Sequence, residues 1–277
     1  MAEKQILVSK EGGLATITIN RPEVMNALTA EAIAALLAAF EEIGSDPNAR
    51  VVLLQGAGGN FSTGADMSLL GASTDPAESF LFMKNTAGRL ILAVRKTPQP
   101  VVCKARGNVY GYGMGLALAC DFVIAADESR FCEAFVNLGI SLDGGASYFL
   151  PRLTGMARAK ELALLGEAIS GKEAAALGLV YKSTPEAELE RETKLLIGRL
   201  ITKSAPAMSA IKETLEKNQH ADLEAALERE AAHQSLLLAG DELQNSIKLF
   251  LESRKKRLSA VRRRELTKTG RTEPLQR

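Results

Sequence analysis

Histidine is nearly missing from this chain of 277 residues, with only His220 and His233 present. Both fall in long polar helical segments far from any glycine-rich turn. That argues against a Ser-His-Asp or Cys-His nucleophilic device and predicts surface helix positions for both. Cysteine is almost as scarce. Cys103, Cys120 and Cys132 form no CxxC pair and leave one unmatched, which suits reduced core thiols better than a disulfide framework. No cluster has metal-ligand spacing. Net charge is lacking too: 34 Lys plus Arg against 33 Asp plus Glu give no overall field to draw nucleic acid, a membrane surface or a strongly acidic partner. No apolar run is long enough to span a bilayer. The opening MAEKQILVSK has neither a basic region followed by an apolar stretch nor an arginine-rich amphipathic pattern. Secretion and organelle import are therefore not expected, and a soluble cytoplasmic protein is.

Hydrophobic residues make up 46% of the chain, enough to bury the core of one large domain, with or without a helical appendage. "LATITIN" (14–20) alternates in polarity and is β-branched, while "RVVLLQG" (50–56) and "PVVCKAR" (100–106) are apolar runs bounded by Gly or Pro; all three read as strands. Thr29 can cap a helix carrying Ile33, Leu36, Leu37 and Phe40 at helical spacing, and residues 76–96 predict a second helical stretch. Alternating strands and helices imply an α/β core. Beyond about residue 155 the segments are helix-prone, including 185–203, 205–219 and 221–254. Met208, Ile211 and Leu215, then Leu223, Ala226 and Leu227, form apolar stripes that pack either into a core or against another subunit. From "RKKRLSAVRRRELTKTG" onward the chain turns basic and loses apolar pattern, predicting a frayed, solvated tail. No aromatic residues interleave with these charges, so nucleic-acid binding is not expected of it.

Two stretches place glycines directly after a predicted strand: "QGAGGNFSTGADMSLL" (55–70) and "RGNVYGYGMGLALACD" (106–121). Glycine permits positive φ and close backbone approach, and a helix start adds free N–H groups. Two such loops can aim one N–H each at a single oxygen. Simple chain turning is the alternative for either loop alone. A dinucleotide site fits "GYGMGL" poorly, because the third glycine of GxGxxG falls at Leu116, and a P-loop fails for want of GK[ST]. A third segment, "GISLDGGASYFLPRLTG" (139–155), holds Asp143 before a glycine pair. Its local residues allow a turn or N-cap aspartate as readily as a catalyst.

In order and spacing, "INRPEVMNALT" (19–29), "NFSTGADMSLL" (60–70), "VYGYGMGLALACDFVIAADESRF" (109–131) and "GLV" (178–180) resemble the crotonase, or enoyl-CoA hydratase/isomerase, superfamily over residues 4 to 258. The resemblance implies an α/β fold: a spiral of ββα units over residues 1–200, carrying an acyl-CoA site. It further implies a C-terminal helical layer for trimer formation over 201–258, with 259–277 as the basic tail, and a homo-trimer or a hexamer of two trimers. The implied substrate is an acyl-CoA thioester, coenzyme A being part of the substrate rather than a separate cofactor. The implied thioester-carbonyl donors are the amides of Ala65 and Tyr112, with Met25, Ala27, Gly64, Asp66, Met67, Gly111, Gly115 and Phe135 around the substrate. Family members often carry a basic residue where this chain has Val24 and Met25, so contacts to the coenzyme A phosphates are sought elsewhere, Arg254, Lys255 and Lys256 being candidates. Residues 71–96 are expected to shape the acyl pocket.

Typical hydratases of the family use two glutamates to hold water, and here those positions read Gly115 and Phe135. Glu133 lies two residues from the second, on the same face if that segment is a strand. "LGISLDGGASYFLPRLTGMARAKELALLG" instead resembles the branch containing ring-1,2-epoxyphenylacetyl-CoA isomerase and some enoyl-CoA isomerases, in which an aspartate at the Asp143 position is the acid/base. The expectation is an acyl-CoA isomerase with Asp143 as proton shuttle, Phe135 keeping the site apolar. Hydration, or acyl-CoA binding without turnover, stands as the alternative. A dehalogenase branch shares the aspartate but also needs a histidine that residues 76–100 lack.

Overall fold

In the computed structural model, residues 4–71, 73–245, 247, 248 and 250–254 are described. Lys255, Lys256 and the basic tail lie outside them. The chain divides into two compact units, Met1–Glu213 and Thr214–Arg277.

The first unit is built by a chain that climbs through two sheets at once. A six-stranded sheet runs β1 (Ile6–Glu11), β2 (Leu14–Ile19), β3 (Val51–Gly56), β4 (Val101–Ala105), β6 (Phe122–Ala126), β9 (Lys182–Thr184). Only the β1–β2 hairpin is antiparallel; the other pairs are parallel. A smaller sheet holds β5 (Asn108–Tyr110), β7 (Arg130–Cys132) and β8 (Ile169–Ser170), and Ser62 bridges to Val109 of β5. The windings that begin with β3, β4 and β6 thus each contribute one strand to the large sheet and a short strand or bridge to the small one before entering a helix, the expected ββα spiral. The parallel strands read as unbroken apolar runs because both faces are covered. In β3, Val52 and Leu54 face the main core with Phe40, Phe61 and Phe131, while Val51 and Leu53 face Leu189, Leu196 and Ile197 of the helix Glu186–Ile201. Period-two alternation divides one strand between two cores.

The helices are α1 (Ala30–Gly44), α2 (Met67–Leu70), α3 (Pro76–Phe82), α4 (Gly88–Lys96), α5 (Tyr112–Leu118), α6 (Ala146–Thr154), α7 (Met156–Leu165), α8 (Gly171–Ala176), α9 (Glu186–Ile201), α10 (Ala205–Asn218) and α11 (Leu223–Leu238). Thr29 caps α1 as expected, its hydroxyl accepting from the Ala32 amide at 3.1 Å. The stretch 76–96 is helical throughout but holds a π turn at Met83–Ala87, where the Gly88 amide donates to the Met83 carbonyl.

One sequence expectation is corrected: His220 sits in the turn after α10 rather than in a helix, and His233 is half-buried, sharing a 2.6 Å hydrogen bond with the Thr214 hydroxyl. The helix-prone segment 221–254 holds α11, a break at Gly240, and helical residues 241–245 and 250–254 beyond it. The short strands β8 and β9 fall before residue 185, and the described residues from there on are helices and turns. Neither α10 nor α11 has a buried residue, and Ile211, Leu215, Leu223 and Leu227 of their apolar stripes are each more than half exposed. Among the described residues no helix is long and apolar enough to cross a membrane.

Candidate active site

A cavity of about 790 Å³ opens in the first unit where the two glycine-rich loops meet the 139–145 segment and the α3 run. Its wall includes Ala65, Met67, Gly111, Tyr112, Phe135 and Asp143.

The first loop is fixed by polar contacts that leave one amide over. The Leu28 amide donates to the Gly64 carbonyl at 2.8 Å and the Asp66 amide to the Leu28 carbonyl at 2.9 Å, on either side of Ala65. The Ala65 N–H has no protein acceptor among the described residues. Gly64, at φ +90°, lies so close to the second loop that a Cβ there would stand 2.8 Å from the Tyr110 carbonyl and 3.2 Å from the Tyr112 nitrogen. In the second loop Gly111 adopts φ 50°, ψ −124°, a conformation closed to ordinary side chains. Its amide donates to the Cys132 carbonyl at 2.9 Å, and α5 starts at Tyr112. As the first helical residue, Tyr112 has an N–H with no intrahelical partner; it has no backbone acceptor among the described residues, and Tyr112 lines the cavity. Two free amides from adjoining loops border one cavity.

Tyr112 carries the side chain of a fully packed residue. It is 2% exposed, and its hydroxyl donates to the Ala87 carbonyl, the last residue of the π turn, at 2.8 Å. Burial, then the charge of Asp143, pushes its phenol far above the ordinary value.

Asp143 is half-buried at the start of the turn into α6, its carboxylate accepting from the Gly144 amide. Burial raises its proton affinity above that of an ordinary aspartate, and the Gly144 N–H acts in the opposite sense. The surroundings are apolar: Phe135, Leu138, Ile140 and Leu142 line the same wall. Glu78, also in the wall, is exposed and accepts from the Ser73 hydroxyl at 2.7 Å.

The remaining sequence candidates stand off this cavity. Gly115 contacts the backbone of the Asp143 loop instead: a Cβ on it would fall 2.4 Å from the Gly144 carbonyl oxygen. Met25 is left-handed (φ 53°) and exposed. The Ala27 carbonyl accepts from Arg21 Nη1 at 2.6 Å, and Asp66 caps α2 while pairing with the same Arg21 nitrogen at 2.8 Å. These residues shape the first loop. The expected acyl-pocket segment contributes Ser73, Glu78, Ser79, Phe82 and Met83, but nothing from α4.

Sequence reasoning missed the residues that lock that loop. Asn26, fully buried and left-handed at φ 58°, accepts from the Arg21 amide at 2.9 Å and donates to the carbonyls of Ala57 (2.9 Å) and Asn60 (2.7 Å). The Ser62 hydroxyl donates to the Asn26 carbonyl at 2.8 Å and accepts from the Gly64 amide at 3.1 Å. The signal lies in "NRPEVMNAL", where an asparagine between a strand and a helix can hold the backbone of a turn. Glu133 also departs from expectation. β7 ends at Cys132, so Glu133 and Phe135 are not alternate residues of one strand. A 3-10 turn, Ala134–Leu138, carries Phe135 to the cavity and leaves Glu133 buried behind it.

Comparison with known proteins agrees with this architecture. The family model described as "Enoyl-CoA hydratase/isomerase" matches residues 9–259. The chain is 32% identical to trans-2-decenoyl-[acyl-carrier-protein] isomerase of Streptococcus mutans, across 91% of this chain and 97% of that one. It is also 32% identical to 1,2-epoxyphenylacetyl-CoA isomerase of Escherichia coli, across 90% and 96%. The crystal structure of an enoyl-CoA hydratase from Polaromonas sp. JS666 superposes with a TM-score of 0.84 at 31% identity, covering 90% of this chain and 97% of that one. The relatives' names divide between isomerases and hydratases.

Proposed function

Because the chain belongs to the enoyl-CoA hydratase/isomerase family of the crotonase superfamily, we propose that it is an acyl-CoA isomerase that moves a double bond, or rearranges a conjugated acyl group, through a thioester enolate. The observation that carries this reading is the meeting of one apolar-walled carboxylate, Asp143, with two unpaired amides, Ala65 and Tyr112, at a single cavity. The amides receive the thioester oxygen. They donate more strongly as that oxygen gains charge, so they favour the enolate over the ground state; loss of one such donor typically costs on the order of 100- to 1000-fold. Asp143 removes the proton from carbon 2 and returns it to carbon 4 or another conjugated position. Its raised proton affinity suits a group that must both take and give. Water-holding acids are replaced at both hydratase positions, by Gly115 and by Phe135, and Phe135 walls the site with carbon. The exposed Ile211, Leu215, Leu223 and Leu227 of α10 and α11 support a homo-trimer or hexamer, since apolar stripes on helices are ordinarily buried against another chain when their own chain leaves them exposed.

Incubation of the purified protein with 3-enoyl-CoA and 2-enoyl-CoA thioesters tests this. Rapid 3-to-2 conversion, reduced at least about 100-fold in Asp143→Asn, is expected. An unchanged rate in that variant would sink the role of Asp143. Hydration without isomerisation would identify a hydratase, and binding without turnover an acyl-CoA-binding scaffold.

A further inference from the structure

Glu133 is 1% exposed, and neither of its carboxylate oxygens has a hydrogen-bond partner. It stands where the chain leaves β7, at φ −85°, ψ 72°, immediately before Ala134 and Phe135 of the cavity wall. A buried carboxylate with no donor around it is costly as an anion, so the enclosure holds this group as the neutral acid. Asp143 lines the same cavity wall as Phe135, two residues on from Glu133. Burial first, and then the negative charge of Asp143, push Glu133 up to about 8.

The other groups around Glu133 do not supply a counter-charge. Cys132, beside it, is buried, and its thiol is itself pushed up by burial and then by Glu133. Arg130, at the far end of β7, is exposed, and Tyr110 of β5 is paired in register with Cys132. On α7, which packs against the 3-10 turn, Arg158 and Glu161 pair with each other at the surface and Lys160 is exposed.

We propose that Glu133 and Asp143 work as a carboxyl–carboxylate couple holding one proton, with Glu133 keeping it while Asp143 acts as the base. The couple rests on the reading of Asp143 as the proton shuttle, and Glu133 acts through it as a positioning residue. The charge balance gives the reason. When Asp143 takes the proton from carbon 2, the C–H electron pair passes into the enolate and the single negative charge moves from Asp143 to the thioester oxygen. Asp143 then returns the proton to the conjugated carbon and regains its charge. With Glu133 neutral, the site carries one negative charge throughout. With Glu133 ionised, the enolate forms against a second buried anion, which raises its energy.

Infrared difference spectroscopy of the full-length protein tests the couple without turnover. At neutral pH the wild type is expected to show a protonated-carboxyl band that is missing in Glu133→Gln and titrates away through about pH 8. In Asp143→Asn the band is expected to titrate at lower pH, because the neighbouring charge is gone. No Glu133-dependent band at neutral pH, or an unmoved midpoint in Asp143→Asn, overturns the couple. Kinetically, kcat for isomerisation is expected to fall about tenfold between pH 7 and pH 9 in the wild type, as one titration near 8 dictates. In Glu133→Gln it is expected to change less than about twofold over that range, whatever its plateau. An unaltered alkaline limb in that variant also overturns the couple. An Asp143→Asn variant that still isomerises would instead refute the shuttle, and the infrared midpoints would still report on Glu133.

Discussion

Replacing Gly115 by alanine adds one methyl group at a point where the backbone of α5 meets the loop carrying Asp143. The new Cβ would lie 2.4 Å from the Gly144 carbonyl oxygen and 2.9 Å from both its carbonyl carbon and its Cα. Carbon–oxygen contacts of this kind ordinarily settle at about 3.3–3.6 Å. Backbone must therefore yield by about 1 Å, and no flexible side-chain end is available to move in its place. The 143–145 turn is the freer partner, because α5 is buried along its whole length. Overpacking of this kind typically costs about 1–3 kcal/mol, and a displacement of about 1 Å at a reacting group can cost on the order of 100-fold in rate. Gly115→Ala is therefore expected to lower kcat for 3-to-2 isomerisation by about 100-fold. Its melting temperature should fall by only about 2–10 °C, so the protein stays folded at the assay temperature. Stopped-time conversion of a 3-enoyl-CoA together with a calorimetric melt measures both. Wild-type kcat in a folded Gly115→Ala protein would refute the argument that this contact seats Asp143.

Tyr112→Phe keeps the amide and the ring but removes the 2.8 Å bond to the Ala87 carbonyl. It is expected to lower stability by about 1 kcal/mol and to raise KM for long-chain thioesters more than it lowers kcat for short ones, because Ala87 ends the π turn behind the α3 wall. Steady-state kinetics over a chain-length series would contradict this if kcat fell alike for every substrate. Asp66 accepts hydrogen bonds from Ser68 and Arg21, and these, in that order, hold its carboxyl at about 2, below its ordinary value. The stability they add is complete above about pH 4 and is lost as pH falls through about 2. The melting-temperature gap between wild type and Asp66→Ala should accordingly be constant from pH 7 to about pH 4 and narrow below it, and a gap independent of pH would refute the assignment.

Much of this fold was legible because its signals are local. β3 and β4 are apolar runs between Gly or Pro punctuation, Thr29 is a cap at a helix entry, and the two glycine loops follow strands as their sequences suggested. Ala65 and Tyr112 were named by the family resemblance; of the two, only Tyr112, the first helical residue after positive-φ Gly111, sits where local sequence alone leaves an N–H unused. What stayed hidden depends on contacts between distant segments. Nothing near Gly115 in sequence says that Gly144 will occupy the space over its Cα. Strand parity does not relate Glu133 to Phe135 because β7 ends at Cys132: the chain bends at Glu133, and from Ala134 on the side chains follow a 3-10 period instead of alternating. The stripes on α10 and α11 have the spacing of core, and periodicity cannot tell whether the apolar face is covered by its own chain.

The two positions where the family resemblance implies hydratase acids, 115 and 135, hold residues that pack against the site, and this links fold to chemistry. Phe135 closes the wall beside Gly111, its ring about 3.6 Å from where a Cβ on that glycine would lie. Gly115 lets α5 approach the 143–145 turn so closely that Gly144 in turn lies near the Tyr112 ring, a Cβ there standing 3.3 Å from Tyr112 Cδ2. Tyr112 thus touches both the loop that carries Asp143 and, through its hydroxyl, the π turn behind the cavity. A glutamate at 115 and the Gly144 backbone in its present position cannot coexist, since even the first carbon of that side chain has no room. The contact that excludes a second acid from α5 is therefore the same contact that holds Asp143 at the cavity beside the two free amides.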